Sequence, residues 1–263
     1  MSDEIKGLLL GILQGLTEYL PVSSSGHIEL GKYLLNFDIK DDLTFSVILH
    51  FGTVLSTLVV FRQDIAQLLR GLFQFRNNEE WQFSLKILVS MIPAAFVGLF
   101  FEKEIDLLFA GNITLVAMML LVTGLLLFMA DRSPKEGKPL TFFNAFAVGI
   151  AQAIAILPGI SRSGATIASS ITLGIDRAQA ARFSFLMVVP LILGKVAKDL
   201  LSGEFSLANQ AIMPLLLGFL ASFVVGLLAC TWMLNLVRRG KLVYFSLYCW
   251  IVGGGALIWL YLK

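Results

Sequence analysis

Two apolar segments punctuated by glycine and serine, Gly11 to Gly26 (GILQGLTEYLPVSSSG) and Gly149 to Gly164 (GIAQAIAILPGISRSG), align without a gap at an offset of 138 residues. Six of the sixteen aligned positions are identical: Gly11/Gly149, Ile12/Ile150, Gln14/Gln152, Ser23/Ser161, Ser25/Ser163 and Gly26/Gly164. Phe45-Ser46 matches Phe183-Ser184 at the same offset. Each copy is a hydrophobic stretch broken midway by proline or glycine and serine. Non-helical backbone at membrane depth is tolerated only where protein or water covers it. A break that occurs twice therefore points to a membrane protein built from repeats, whose interrupted helices enclose a site.

Composition agrees, with 57% hydrophobic and 14% charged residues. Six segments are near the length that crosses about 30 Å of hydrocarbon: roughly 44–61, 84–101, 112–130, 183–201, 211–237 and 242–262. Two more, 5–35 and 142–176, are too short and too broken, and read as re-entrant helical hairpins. The expected fold is an all-α integral membrane protein of about six transmembrane helices plus two re-entrant hairpins in an inverted-topology repeat. It is read as one polytopic domain over 1–263, with repeat one about 1–130 and repeat two about 140–263. Three spans separate the hairpins. An odd number of crossings inverts the second copy, so the hairpins enter from opposite faces and their tips can meet inside the bilayer.

Lysine and arginine set the orientation. One set of connections holds Arg62, Arg70, Arg76, Lys86, Arg132, Lys135, Lys138, Arg177, Arg182, Arg238, Arg239 and Lys241. The opposite set holds Lys6, Lys32, Lys40, Lys103 and Lys263. Twelve against five puts the first set in the cytoplasm, and places both termini and the base of the first hairpin outside. The stretch 62–83 reads as an amphipathic loop with Trp81 at the interface. A net charge of +2 on scattered basic residues argues against a nucleic-acid partner. Cys230 and Cys249 lie in apolar stretches and read as packing residues. The N-terminus, MSDEIKG, makes a poor signal peptide.

The chemistry concentrates in the two turns. Gln14 and Glu18 are four apart, on one face of a half-helix. Beyond them the chain runs through Pro21 into Ser23-Ser24-Ser25-Gly26-His27. In the second copy, Pro158-Gly159 leads to Ser161-Arg162-Ser163-Gly164-Ala165-Thr166. Both read as serine-capped N-termini of half-helices, where free N–H groups and hydroxyls bind anions. Arg162 adds charge in a planar fork suited to two phosphate oxygens. Ser23, Ser25, Gly26, Ser163 and Gly164 are read as lining this anion site. Ser169, Ser170 and Thr172 are read as packing residues, and His50, in an apolar run, as core.

GLTEYLPVSSSGH at 15–27 and PGISRSGAT at 158–166 resemble the signatures of the bacitracin-resistance family of undecaprenyl-diphosphate phosphatases. The likeness covers nearly the whole chain in length and hydrophobic layout. It implies hydrolysis of undecaprenyl diphosphate to the monophosphate plus inorganic phosphate, which recycles the lipid carrier of cell-wall synthesis and confers bacitracin resistance. It also implies a divalent cation, magnesium or calcium, and an outward-open site in the bacterial plasma membrane. By motif, the acid pair becomes Gln14 and Glu18, and the serine-histidine turn becomes Ser24 and His27. The phosphate-binding turn becomes Ser161, Arg162, Ser163 and Thr166. Many members have glutamate where this chain has Gln14, which can act neither as a base nor as a charged ligand.

Glu18, Ser24, His27 and Arg162 are thus the expected catalytic residues, with Glu18 the candidate cation ligand. The nucleophile is left open among Ser24, His27 and water. Expected partners are the polyprenyl diphosphate and membrane lipid, with a second copy of the chain left open. Two other readings stand beside this one. A phosphatidate-phosphatase-type site needs a second histidine after the arginine, and His50 precedes Arg162. A polyprenyl-phosphate transporter or flippase, with or without hydrolysis, shares the inverted-hairpin architecture.

Overall fold

The computed structural model describes residues 1–37, 42–109, 112–134, 136–202 and 212–262. Among these residues the chain is all helical apart from one isolated bridge between Lys138 and Ile175. Hairpin one is α1 (Asp3–Thr17) and α2 (Ser24–Leu35), followed by α3 (Asp42–Val60), α4 (Arg62–Leu72), α5 (Glu79–Phe100), α6 (Glu102–Phe109) and α7 (Ile113–Arg132). Hairpin two is α8 (Phe142–Ile154) and α9 (Arg162–Thr172), followed by α10 (Arg177–Ser202), α11 (Ile212–Arg239) and α12 (Val243–Leu262). Five helices, α5, α7, α10, α11 and α12, hold a span long and apolar enough to cross a membrane, and α3 with α4 makes a sixth, bent by 76°. The protein is therefore a multi-pass membrane protein. Among the described residues both hairpins are present, and the six expected spans are matched by these five helices with the bent α3–α4 pair counted as one; α3, α5 and α7 lie between the hairpins in the chain.

Small residues let the two halves interlock. Gly7, Gly11 and Gly15, each four apart, line one face of α1 and meet the backbone of α11; a Cβ on Gly11 would sit 2.2 Å from the carbonyl oxygen of Gly218. At the aligned position of hairpin two, a Cβ on Gly149 of α8 would sit 2.4 Å from the carbonyl oxygen of Ser90 in α5. Without a hydrophobic force between helices in lipid, such close backbone approach is the main source of attraction. Hairpin one thus leans on the second half of the chain, and hairpin two on the first.

The connections expected to be cytoplasmic meet on one face. The Lys138 N–H donates to Gly174 at 2.9 Å, and Arg177 and the Leu242 N–H both bind Asp131. Arg182 pairs with Asp64 and lies over the ring of Phe83. Lys40, Lys135 and Lys263 lie outside the described residues.

The stretch 62–83 differs from the loop expected there. Residues 62–72 form α4, which turns away from α3 at Phe61, and α5 starts at Glu79 rather than near 84. The Asn78 side chain caps α5 by accepting from the Trp81 N–H at 2.7 Å, with Glu79 and Glu80 in the first turn. This is a favourable helix start that hydropathy alone overlooks. The short α6 was likewise hidden behind the apolar run of α5.

Candidate active site

The two hairpin tips meet. In hairpin one, α1 ends at Thr17 and the chain turns through Glu18 to Ser23 before α2 begins. Ser23 holds φ at 71°, unusual for a residue with a side chain, and its hydroxyl accepts from the Gly26 N–H at 3.2 Å. In hairpin two, Ser161 accepts from the Gly164 N–H at 3.0 Å. Both expected serine caps are in place. The N–H groups of Ser24, Ser25, Arg162 and Ser163, in the first turns of α2 and α9, have no intrahelical partner.

The spans fix each turn from behind. Thr123 of α7 accepts from the Ser161 N–H at 3.0 Å and donates to the Gly159 carbonyl at 3.1 Å. Gly159 needs its φ of 97° and its lack of a side chain, since a Cβ would fall 2.4 Å from the Val116 carbonyl oxygen. On the other side, the hydroxyl of Tyr19 reaches Thr53, Ser56 and Thr57 of α3. Cys249 of α12 lies 3.8 Å from the Pro21 carbonyl. Both cysteines are free and buried, as expected of packing residues.

Glu18 is the hub, with a side chain only 5% exposed. One carboxylate oxygen pairs with the Arg162 guanidinium from the opposite hairpin. The other accepts the Ser24 hydroxyl at 2.7 Å and the Gln14 amide at 3.0 Å. The Ser24 proton is therefore aimed at Glu18. His27 faces elsewhere: Nδ1 donates to the Ser23 carbonyl at 2.8 Å, which leaves Nε2 to accept the Tyr248 hydroxyl at 2.8 Å. The two rings stack at 5.6 Å.

Of the residues expected in the site, Gln14, Glu18, Ser24 and Arg162 form one connected cluster. Ser23 and Ser161 serve as caps. The Ser25 hydroxyl is 3.4 Å from that of Ser23. The Ser163 hydroxyl is 3.3 Å from that of Ser161 and donates to the Leu20 carbonyl at 3.4 Å, tying one turn to the other. Gly26 and Gly164 allow the tips to approach: a Cβ on Gly26 would lie 3.1 Å from Gly159, and one on Gly164 3.4 Å from Pro21. The Thr166 hydroxyl turns back onto the Arg162 carbonyl and lies 2.6 Å from Ser184 of α10.

One expectation is corrected. His50 is not a core residue: its side chain is 29% exposed, and Nδ1 lies 2.9 Å from the Gln14 amide nitrogen and 3.4 Å from Glu18. An isolated histidine in an apolar span carries no motif, and only the packing of α3 beside α1 brings it here. Tyr248 of α12 was missed for the same reason.

Among the described residues no three of the His, Cys, Asp and Glu side chains gather closely enough to hold a metal ion. The local donors are oxygens: Glu18, and Oε1 of Gln14, which is buried without a hydrogen-bond partner. That set carries one negative charge, already faced by Arg162. As donors these oxygens suit a hard cation such as magnesium or calcium, which would need most of its ligands from elsewhere.

A carboxylate, an arginine and a serine at a helix N-terminus, held between the tips of two helical hairpins, make this a membrane protein with a polar cluster suited to binding phosphate. The chain belongs to the bacitracin resistance protein BacA family, whose model matches residues 7–255. A protein named undecaprenyl-diphosphatase from Christiangramia forsetii is 56% identical over 261 residues, covering 98% of this chain and 99% of that one. Proteins of the same name from Bacteroides fragilis and Halothermothrix orenii are 46% and 42% identical; in each comparison 94% of this chain and 95% of the relative are covered.

Proposed function

We propose that this chain hydrolyses undecaprenyl diphosphate to undecaprenyl phosphate and inorganic phosphate, and so returns the lipid carrier to cell-wall synthesis and confers bacitracin resistance. The observation that carries the reading is the meeting of Glu18 and Ser24 from one hairpin with Arg162 from the other. Arg162 and the free first-turn N–H groups of α2 and α9 grip the diphosphate. The Ser24 oxygen attacks the terminal phosphorus while its proton passes to Glu18. The bridging P–O bond breaks, and undecaprenyl phosphate leaves without needing an acid. Water then attacks the phosphoserine; Glu18 returns its proton to the leaving Ser24 oxygen, takes one from the attacking water and releases it to solvent, so that serine, carboxylate and free phosphate are all restored.

Glu18 and Oε1 of Gln14 are the protein atoms that would hold a magnesium or calcium ion. Bound, it would neutralise phosphate charge. An apolar groove of about 480 Å³ between α5 and α8, lined by Pro93, Phe96, Phe146 and Ile150 among others, suits a prenyl tail. In a bacterial plasma membrane, which the likeness to undecaprenyl-diphosphatases implies, the twelve-to-five basic asymmetry turns the site to the outer face.

Phosphate release by purified protein in detergent tests hydrolysis where transport is impossible. No release would leave the flippase reading. For orientation, native Cys230 and Cys249 are removed and single cysteines placed at Lys103 or Lys138. An impermeant thiol reagent applied to cells with a permeabilised outer layer should label position 103 and spare 138. The reverse pattern would turn the site towards the cytoplasm.

A further inference from the structure

We infer that His50 is a positioning residue of the proposed hydrolysis, acting through the Gln14 amide to hold the Glu18 carboxylate against Ser24. The inference rests on the function proposed above and adds to it a residue that neither motif contains. Its starting point is the amide geometry. The Gln14 amide nitrogen lies 3.0 Å from Glu18 Oε2 and 2.9 Å from His50 Nδ1, and it has two protons, one for each. Turned the other way, the amide would set its oxygen against the carboxylate, acceptor facing acceptor. The nitrogen must therefore point at both groups. His50 then accepts through Nδ1 and carries its proton on Nε2.

That arrangement leaves Gln14 Oε1 buried with no hydrogen-bond partner among the described residues, available to the cation proposed above. The consequence reaches the reacting atom. The oxygen that accepts the Gln14 amide is also the one that accepts the Ser24 hydroxyl. Fixing the amide on its far side with an imidazole holds that oxygen at its angle to Ser24.

The other half of the molecule supplies an internal control. Gln152 occupies the aligned position in α8 and is equally buried, at 1% exposure. At the position aligned with His50, α10 carries Val188. There, with no imidazole and with Ile156 in place of Glu18, neither amide atom of Gln152 has a hydrogen-bond partner among the described residues. The glutamine is common to both repeats; the two groups that engage it are found only in the half that carries Ser24.

The test compares purified His50→Leu, which keeps bulk but removes the acceptor, with His50→Asn, whose side-chain oxygen can replace Nδ1. Undecaprenyl diphosphate is the substrate throughout. His50→Leu should lower kcat roughly tenfold or more and leave KM within about twofold, because Arg162 still binds the phosphates. His50→Asn should keep kcat within about threefold of wild type. Combining His50→Leu with Gln14→Leu should be no worse than Gln14→Leu alone, as expected of residues acting in series. If His50→Leu does not fold, His50→Ala takes its place in every comparison.

Wild-type kcat in the folded His50→Leu protein would overturn the inference. So would an Asn variant as impaired as Leu at equal thermal stability, or additive losses in the double variant. Absence of hydrolysis by the wild-type protein would instead remove the proposed function itself, which separates the two failures.

Discussion

The turns at 18–23 and 155–161 share a serine cap and lead into a helix at the same register, yet the first helical residue is Ser24 in one and Arg162 in the other. Aligned at the repeat offset, Glu18 stands opposite Ile156, His27 opposite Ala165 and His50 opposite Val188. One hairpin carries the groups proposed to move protons and attack phosphorus. The other contributes a fixed positive charge and first-turn N–H groups, but no group proposed to move a proton. Neither is complete without its inverted partner, and the Glu18–Arg162 ion pair is where they join. The scaffold is repeated while the chemistry is divided.

The most direct way to break this division is Glu18→Gln. The amide keeps the shape but cannot take the Ser24 proton, and it leaves the Arg162 guanidinium, 20% exposed, without its counter-charge. Breaking a buried pair from one side typically costs about 3–5 kcal/mol, so the melting temperature should fall as well as the rate. Turnover is expected to drop by about three decades or more. Adding Arg162→Met removes the stranded charge. Thermal stability should then recover while phosphate release stays absent. Near wild-type release by Glu18→Gln would show that hairpin one does not supply the base.

Hairpin two is tested by Arg162→Lys. Lysine keeps the charge and can still reach towards Glu18, but loses the planar fork that would bind two phosphate oxygens at once. Losing a preorganised donor at a phosphoryl centre costs on the order of 3 kcal/mol, or about two decades in kcat/KM. Arg162→Ala should be worse, because it also uncovers Glu18. Ser170→Ala, deeper in α9 with its hydroxyl spent on the Thr166 carbonyl, serves as the unaffected control. Near-normal hydrolysis by folded Arg162→Lys would reduce the arginine to a point charge and blur the contrast between the hairpins.

What the sequence makes legible follows the same division. The repeat announces both hairpins, and the serines at 23 and 161 can be read as caps because a helix start has a local chemical signature. Glu18, Ser24 and Arg162 stand out as polar groups inside apolar stretches. His50 and Tyr248 do not, since each reaches the cluster from a distant helix whose approach is set by packing. His27 is visible as a residue but not in its direction. Only the α12 packing reveals that its free nitrogen faces Tyr248 instead of Ser24. The α3–α4 bend has no proline or glycine at the break to announce it, so 62–72 reads as loop although its amphipathic pattern is helical.

The smallest expected effect is the one that separates the two glutamines. Gln14 gives both amide protons to partners in the site, whereas Gln152 is buried with neither amide atom hydrogen-bonded. An unsatisfied buried polar group costs about 1–3 kcal/mol, and leucine, similar in volume, removes that penalty without leaving a cavity. Gln152→Leu should therefore leave kcat and KM within about twofold of wild type and raise the melting temperature by about 2–4 °C for each kcal/mol gained. Gln14→Leu should do the opposite, with little change in stability and a kcat loss at least as large as that of His50→Leu. Equal loss of activity in the two variants would mean that Gln152 serves the site as Gln14 does. A fall in the melting temperature of Gln152→Leu would mean that its amide is hydrogen-bonded in the working protein. Either result would restore the symmetry that the pairs Glu18/Ile156 and His50/Val188 break.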